Sequence, residues 1–168
     1  MEIFKKKFVH LRNYTQYSLS RGAIRISNLI EFCKTYKLPA IGISDYNNLF
    51  GCMEFSLECQ KNYVQPIIGC NIQLIDNDFN DGYVLLIATN NKGYFNLSKI
   101  VSSSYLLNAK INSPFIKMDD LRKYSDGLIC LAGGENGLIT KNFKKNSLEK
   151  CEKIFEIFSN YFENNFFV

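Results

Sequence analysis

Histidine is almost missing from this sequence: His10 is the single one in 168 residues, beside three prolines and no tryptophan. One imidazole cannot furnish the histidine-rich cluster that usually holds zinc or a pair of catalytic divalent ions. Long apolar runs are missing too, and nothing approaches the roughly 18 apolar residues of a membrane helix. The basic start Met1–Lys7 runs straight into patterned sequence with no apolar h-region or small-residue cleavage site, so it is not read as a secretory signal. A cytoplasmic protein with no membrane partner is the expectation. Six cysteines are present (Cys33, Cys52, Cys59, Cys70, Cys130 and Cys151), but no Cys-x-x-Cys pair. That spacing excludes the common zinc-ribbon and thioredoxin-like motifs and points to reduced thiols acting as small hydrophobes. The net charge is only +4, with basic clusters at Lys5–Lys7 and at Lys141, Lys144 and Lys145. Such scattered lysines read as a solvated surface rather than a nucleic-acid interface.

What is present is an ordinary globular composition, 46% hydrophobic and 21% charged, in a chain long enough for one domain with a sizeable core. Apolar strand-like runs alternate with amphipathic stretches. Phe8–Leu11 reads as a short strand. Ile26, Leu29, Ile30 and Cys33 follow helical spacing and predict a helix over Ile24–Tyr36, with Ser27 a candidate cap and Pro39 beyond its end. Ala40–Ser44 reads as a buried strand, and Phe50, Met53 and Leu57 as the buried stripe of a second helix. Ile67, Ile68 and Ile72–Ile75 are extended, and Asp76–Gly82 is a loop by its Asn, Asp and Gly content. Tyr83–Ala88 is a strand, Tyr94, Leu97 and Val101 line a third helix, and Leu128–Leu131 is another strand. Leu148, Cys151, Ile154, Phe155 and Phe158 line a last helix with Ser147 before it and Glu149 in its first turn. Strand–helix alternation predicts an α/β domain with a largely parallel sheet, either an open sheet or a barrel.

Four segments carry chemistry-bearing residues in a fixed order: His10-Leu11-Arg12-Asn13-Tyr14-Thr15-Gln16-Tyr17-Ser18, Ile41-Gly42-Ile43-Ser44-Asp45-Tyr46-Asn47-Asn48-Leu49-Phe50-Gly51, Gln65-Pro66-Ile67-Ile68-Gly69-Cys70-Asn71, and Leu85-Leu86-Ile87-Ala88-Thr89-Asn90-Asn91-Lys92-Gly93-Tyr94-Phe95-Asn96-Leu97. Together they resemble the PHP (polymerase and histidinol phosphatase) domain found at the N-terminus of bacterial DNA polymerase III alpha subunits. The resemblance implies a distorted (β/α)7 TIM-like barrel, its pocket at the C-terminal ends of the strands. The end at Asn164–Val168 reads as a strand just begun. Residues 1–168 are therefore expected to be the N-terminal portion of such a domain, lacking its last units, with the polymerase palm, thumb and fingers beyond Val168.

Metal-binding members of the family hold divalent ions with histidines and carboxylates. At those positions this chain resembles the family in frame but not in ligands. Arg12 and Tyr14 stand for the paired histidines, Arg21 for an aspartate, Tyr46 for the histidine beside the surviving Asp45, and Asn71 for a glutamate. His10 lies two positions before the pair and is expected to be structural. Guanidinium groups carry only donors and a permanent positive charge, which repels a cation. The expectation is a vestigial pocket of His10, Arg12, Tyr14, Arg21, Asp45, Tyr46 and Asn71, with no catalytic residue and no metal held by this segment. Arg12 and Arg21 are expected to pair with Asp45 or Glu54, or with an anion.

Gly133–Gly137 follows a strand but lacks the Lys-Ser/Thr of a P-loop, so it reads as a plain turn. The Ser18–Arg21 stretch contains no histidine or acid that could activate a serine, so nucleophilic catalysis is not expected. Tyr14, Tyr17 and Tyr46 belong to an aromatic-rich chain whose rings mostly serve the core. By resemblance, the function is that of a replicative DNA-directed DNA polymerase alpha subunit, this segment serving as inactive scaffold. Implied partners are the rest of the alpha subunit, the proofreading exonuclease and other replisome subunits, DNA and deoxynucleoside triphosphates; magnesium belongs to the polymerase domain. The alternative is a metal-dependent PHP phosphoesterase or 3′–5′ exonuclease, which would need the ligands that positions 12, 14, 21, 46 and 71 lack. A free-standing binding module is a third reading, disfavoured by the abrupt end.

Overall fold

A computed structural model describes residues 8–106, 113–145 and 148–168. Its elements run α1 (Ile26–Tyr36), β1 (Ala40–Tyr46), α2 (Cys52–Lys61), β2 (Gln65–Leu74), β3 (Gly82–Ala88), α3 (Asn91–Leu106), α4 (Met118–Lys123), β4 (Leu128–Leu131), α5 (Leu138–Lys144), α6 (Leu148–Phe162), a 3₁₀ turn (Glu163–Asn165) and β5 (Phe166–Phe167). The strands form one five-stranded sheet in sequence order. β1–β2 and β4–β5 pair parallel, whereas β2–β3 and β3–β4 pair antiparallel. The sheet is thus mixed, not largely parallel in its pairings. The loop between β2 and β3 is too short for a crossover helix, so the chain must turn back as a hairpin. The Asp78 N–H donates to its neighbour Asp76 Oδ1 (3.0 Å) inside that turn, as the Asn/Asp-rich composition anticipates.

Side chains alternate across a strand, so register decides which residues share a face. Ile41 and Ile43 of β1 pack under α1 and α2 with Ile26, Leu29, Ile30, Cys33, Phe55 and Cys59. Cys70 and Ile72 of β2, Val84 and Leu86 of β3, and Cys130 of β4 pack against Leu97, Ile100, Ile154 and Phe158. All these strand residues lie on one side of the sheet by the pairing register. The other side carries Gly42, Ser44, Tyr46, Asn71, Tyr83 and Leu85, which belong to neither of these clusters. The expected strand at Phe8–Leu11 is an extended edge rather than a ladder strand. The His10 and Asn13 carbonyls accept hydrogen bonds from the Gly42 and Ser44 N–H groups (2.8 and 2.9 Å) along the free side of β1.

Helix boundaries and stripes needed correction. α1 starts after Arg25 and gains no side-chain cap, so Ser27 is an ordinary first-turn residue. It ends where Lys37 turns left-handed (φ 51°), and the Leu38 N–H donates back to the Cys33 carbonyl (2.9 Å). In α2 the expected stripe is on the wrong face. Cys52, Phe55 and Cys59 are buried, whereas Phe50, Met53 and Leu57 are 68%, 72% and 48% exposed. Both rows obey helical spacing, and only the position of the sheet chooses between them. α3 buries Gly93, Leu97, Ile100 and Ser104, leaving Val101 half-buried and Tyr94 at the surface. The row is displaced because Gly93 lies against the Gly127 carbonyl, where any Cβ would collide. In α6, Ile154 and Phe158 are buried as expected, Cys151 is half-buried, and Leu148 and Phe155 are exposed. Ser147 and the Lys5–Lys7 cluster lie outside the described residues.

The burial of five thiols, Cys33, Cys52, Cys59, Cys70 and Cys130, fits the expectation of structural cysteines. Burial pushes these thiols upward, Cys52 to about 12 with help from Asp45 and Cys59 to about 12 with help from Cys33 and Glu58, so the nucleophilic thiolate is suppressed. The α2 assignment is open to a direct check. Phe55→Ala is expected to cost about 3–5 kcal/mol in urea unfolding. Met53→Ala, on the exposed row, is expected to cost within about 0.5 kcal/mol.

Candidate functional site: a strand-end pocket

The site begins with a strand end. Asp45 and Tyr46 are neighbours at the C-terminus of β1 and point to opposite faces. Asp45 is 2% exposed and accepts three hydrogen bonds: from the Thr15 N–H (2.6 Å), the Thr15 hydroxyl (2.7 Å) and the Ser18 hydroxyl (2.6 Å). Ser18 Oγ in turn accepts from the Tyr46 N–H (3.1 Å). The Ser18 carbonyl then takes the Arg21 and Gly22 N–H groups (2.9 and 2.8 Å), closing a tight turn. Gly22 is required there, because a Cβ would run into the Thr15 carbonyl. This turn carries the Arg21 side chain back over the strand end.

Arg21 lies over two phenol rings, with its guanidinium carbon 4.3 Å from the Tyr46 centroid and 5.2 Å from that of Tyr83. Tyr46 meets Tyr83 edge-on at 5.1 Å and Tyr14 at 4.7 Å. Burial lowers the Arg21 proton affinity, but the Tyr83 and Tyr46 phenols outweigh it, and the net movement is upward. Burial pushes the Tyr14 hydroxyl up to about 12, aided by its hydrogen-bonded neighbour Tyr46 and opposed by Arg12. On the far side, Arg12 donates through both terminal nitrogens to the Gly133 carbonyl (3.3 Å each). Gly134 (φ 96°) leaves room for that guanidinium, which a side chain there would displace. Arg12, Tyr14, Tyr46, Asn71, Tyr83, Gly133, Glu135, Asn136 and Gly137 line a cavity of about 200 Å³.

Five of the seven sequence-derived residues are therefore together: Arg12, Tyr14, Tyr46 and Asn71 in the cavity wall, and Arg21 over its rim. Two are not. His10 is exposed and packs edge-on against Phe8 (4.7 Å) and Phe32 (6.0 Å). Asp45 is turned away and fully engaged by Thr15 and Ser18. The expected pairing of Arg12 and Arg21 with Asp45 or Glu54 is thus corrected. Glu54 accepts from the Tyr17 hydroxyl (2.6 Å), and neither arginine is among the ion pairs of the described residues. The cause is strand alternation, which sends Asp45 and Tyr46 to opposite sides. Tyr83 was missed, and the Gly133–Gly137 loop, read as a plain turn, forms part of the cavity wall. An antiparallel β2–β3 pairing places Tyr83 beside Asn71's row, and no local motif announces that.

Among the described residues, no three His, Cys, Asp or Glu side chains converge in the manner of a metal site. The groups that do converge are guanidinium, phenol and carboxamide, with one exposed carboxylate at Glu135. This donor set does not fit a divalent cation, which prefers several anionic or imidazole ligands.

A PHP domain model matches residues 10–168, so the chain belongs to the PHP domain family. It is similar to the DNA polymerase III subunit alpha of Borreliella burgdorferi, 34% identical over 98% of this chain and 15% of that protein. It is similar also to the DNA polymerase III subunit alpha of Caulobacter vibrioides, 33% identical over 96% of this chain. The chain spans about 15% of the length of these relatives. Among solved structures it is similar to an amidohydrolase from Chromobacterium violaceum, with a TM-score of 0.47, 10% identity, and coverage of 88% of this chain and 54% of that one. No helix among the described residues is long and apolar enough to cross a membrane.

Two outcomes test this geometry. Ser18→Ala removes a buried partner of Asp45 and of the Tyr46 amide, and is expected to cost about 1–3 kcal/mol in chemical unfolding. Tyr14 holds its proton more tightly when folded, about 12 against an ordinary 10.0. Its contribution is therefore complete below pH 10 and lost as pH rises from 10 toward 12. Between pH 9 and 11, Tyr14→Phe should lose less stability in urea unfolding than the unsubstituted chain.

Proposed function

We propose that this chain is the PHP region of a replicative DNA polymerase III alpha subunit and that it acts there as a metal-free scaffold. The family match and the relatives' names support the first part. The second rests on one observation: the strand-end positions that would hold metal carry Arg12, Tyr14, Arg21, Tyr46 and Asn71, with Tyr14 packed on Tyr46, Arg21 stacked on Tyr46 and Arg12 bonded to the Gly133 carbonyl. A cation between two guanidinium groups would be repelled rather than held. In this reading the whole protein transfers nucleotides to a DNA primer in the cytoplasm, with magnesium bound by its polymerase domain. The fold is then the start of a distorted (β/α)7 barrel, and its outer faces serve the other polymerase domains, the proofreading exonuclease and further replisome subunits.

The test uses the 168-residue chain with manganese or zinc, a generic phosphate ester and single-stranded DNA. No metal-dependent hydrolysis and no saturable metal binding are expected. Turnover that depends on a stoichiometric ion, abolished by chelator, would establish the phosphoesterase or exonuclease reading instead.

A further inference from the structure

A row of exposed rings lies at the start of β1, away from the cavity at its end. Phe8 and His10 alternate onto one side of the extended edge segment, and Phe32 and Tyr36 stand one turn apart on α1. Their rings are contiguous: Phe8 meets His10 at 4.7 Å between centroids, His10 meets Phe32 at 6.0 Å and Phe32 meets Tyr36 at 4.6 Å. None of these contacts is a face-to-face stack. Phe8 is 73% exposed, Tyr36 61% and Phe32 40%, and His10 is exposed as well, so ring surface is left open to solvent. Single exposed apolar residues need no explanation, but a joined set of them marks an interaction surface.

Cations flank the row at both ends. Arg25 is the N-cap of α1, seven residues before Phe32 and so on the same side of the helix. A cation there opposes the helix dipole, so Arg25 does nothing for the helix itself. Lys37 follows Tyr36 directly, and Lys5, Lys6 and Lys7 immediately precede Phe8 in the chain. The opposing carboxylates are Glu31, roughly 100° round the helix from Phe32, and Glu2. Positive charge is in excess.

We infer that this row is a docking surface for single-stranded DNA, its rings stacking on unpaired bases and its cations meeting the phosphates on either side. A base of any identity offers a π-face to an aromatic ring, and the phosphodiester backbone supplies the negative charge that complements the flanking cations. A lipid surface is entered by aliphatic side chains as well, and the row has none. The inference goes beyond the scaffold reading. Only the choice of DNA over RNA rests on it, through the polymerase proposed for the whole protein.

The experiment titrates a fluorescent oligothymidylate of about 12 nucleotides with the 168-residue chain and follows anisotropy. Chelator is present throughout, so this binding and the metal test of the scaffold reading can fail separately. Saturable binding is expected, with an abasic oligomer of equal length at least about fivefold weaker, because it keeps the charges and loses the stacking. Phe8→Ala and Tyr36→Ala should each weaken binding about fivefold or more. Lys5→Ala, Lys6→Ala and Lys7→Ala combined should flatten the logarithmic salt dependence by about 2. Phe50→Ala, an exposed ring at the start of α2, should change nothing. Circular dichroism verifies that the variants fold. No saturable binding, an abasic oligomer held as tightly, or indifference to both ring substitutions would overturn the inference. So would tighter binding of oligouridylate, or of phosphatidylserine vesicles through the same rings.

Discussion

The buried carboxylate of Asp45 is the anchor on which the strand-end architecture depends. A charged oxygen pair at 2% exposure is tolerable only if its lone pairs are taken up, and here the Thr15 amide, the Thr15 hydroxyl and the Ser18 hydroxyl do so within 2.7 Å. The consequence is geometric. Residues 13–22, which have little regular structure of their own, are tied to the end of β1, and the turn at Ser18–Gly22 aims Arg21 across Tyr46. Tyr14 and Arg12 follow from the same tether. Without it, the aromatic–guanidinium cluster would have one wall fewer.

That anchor also explains how a pocket can be held in shape without a metal ion. A metal centre draws side chains inward by coordination. In this chain the same region is held by cation–π stacking, edge-to-face phenol contacts and hydrogen bonds to backbone carbonyls. Each is worth on the order of 1 kcal/mol, and none requires a loaded ion. Arg12 reaching Gly133 matters most for shape, since it joins the N-terminal edge segment to the loop after β4 and brings opposite ends of the sheet together. The glycine at position 134, with its positive φ, is the backbone counterpart of that contact.

Sequence reading anticipated which residues gather at the strand ends better than which residues pack the helices. Arg12, Tyr14, Arg21, Tyr46 and Asn71 could be named because a motif frame fixes their spacing, and strand ends converge once a sheet forms. Tyr83 could not, because it joins the pocket only through the antiparallel register of β3 with β2. The stripe of α2 failed for a related reason. Phe50, Met53 and Leu57 are as helical in spacing as Cys52, Phe55 and Cys59, and burial is a property of where the sheet lies, not of the helix alone. The parallel sheet was over-read because strand–helix alternation does not reveal that one connection is a hairpin.

The order of elements, the family and the presence of cations and phenols at positions 12, 14, 21 and 46 were written in the linear chain, since they depend on residue identity and local periodicity. Which partner each charged group takes was decided only by the folded arrangement. Adjacent strand residues face opposite ways, so Asp45 went to a serine and a threonine while Arg21 went to two tyrosines. Pairing of that kind is set by distances across the sheet, and those distances exist only after the strands have chosen their register.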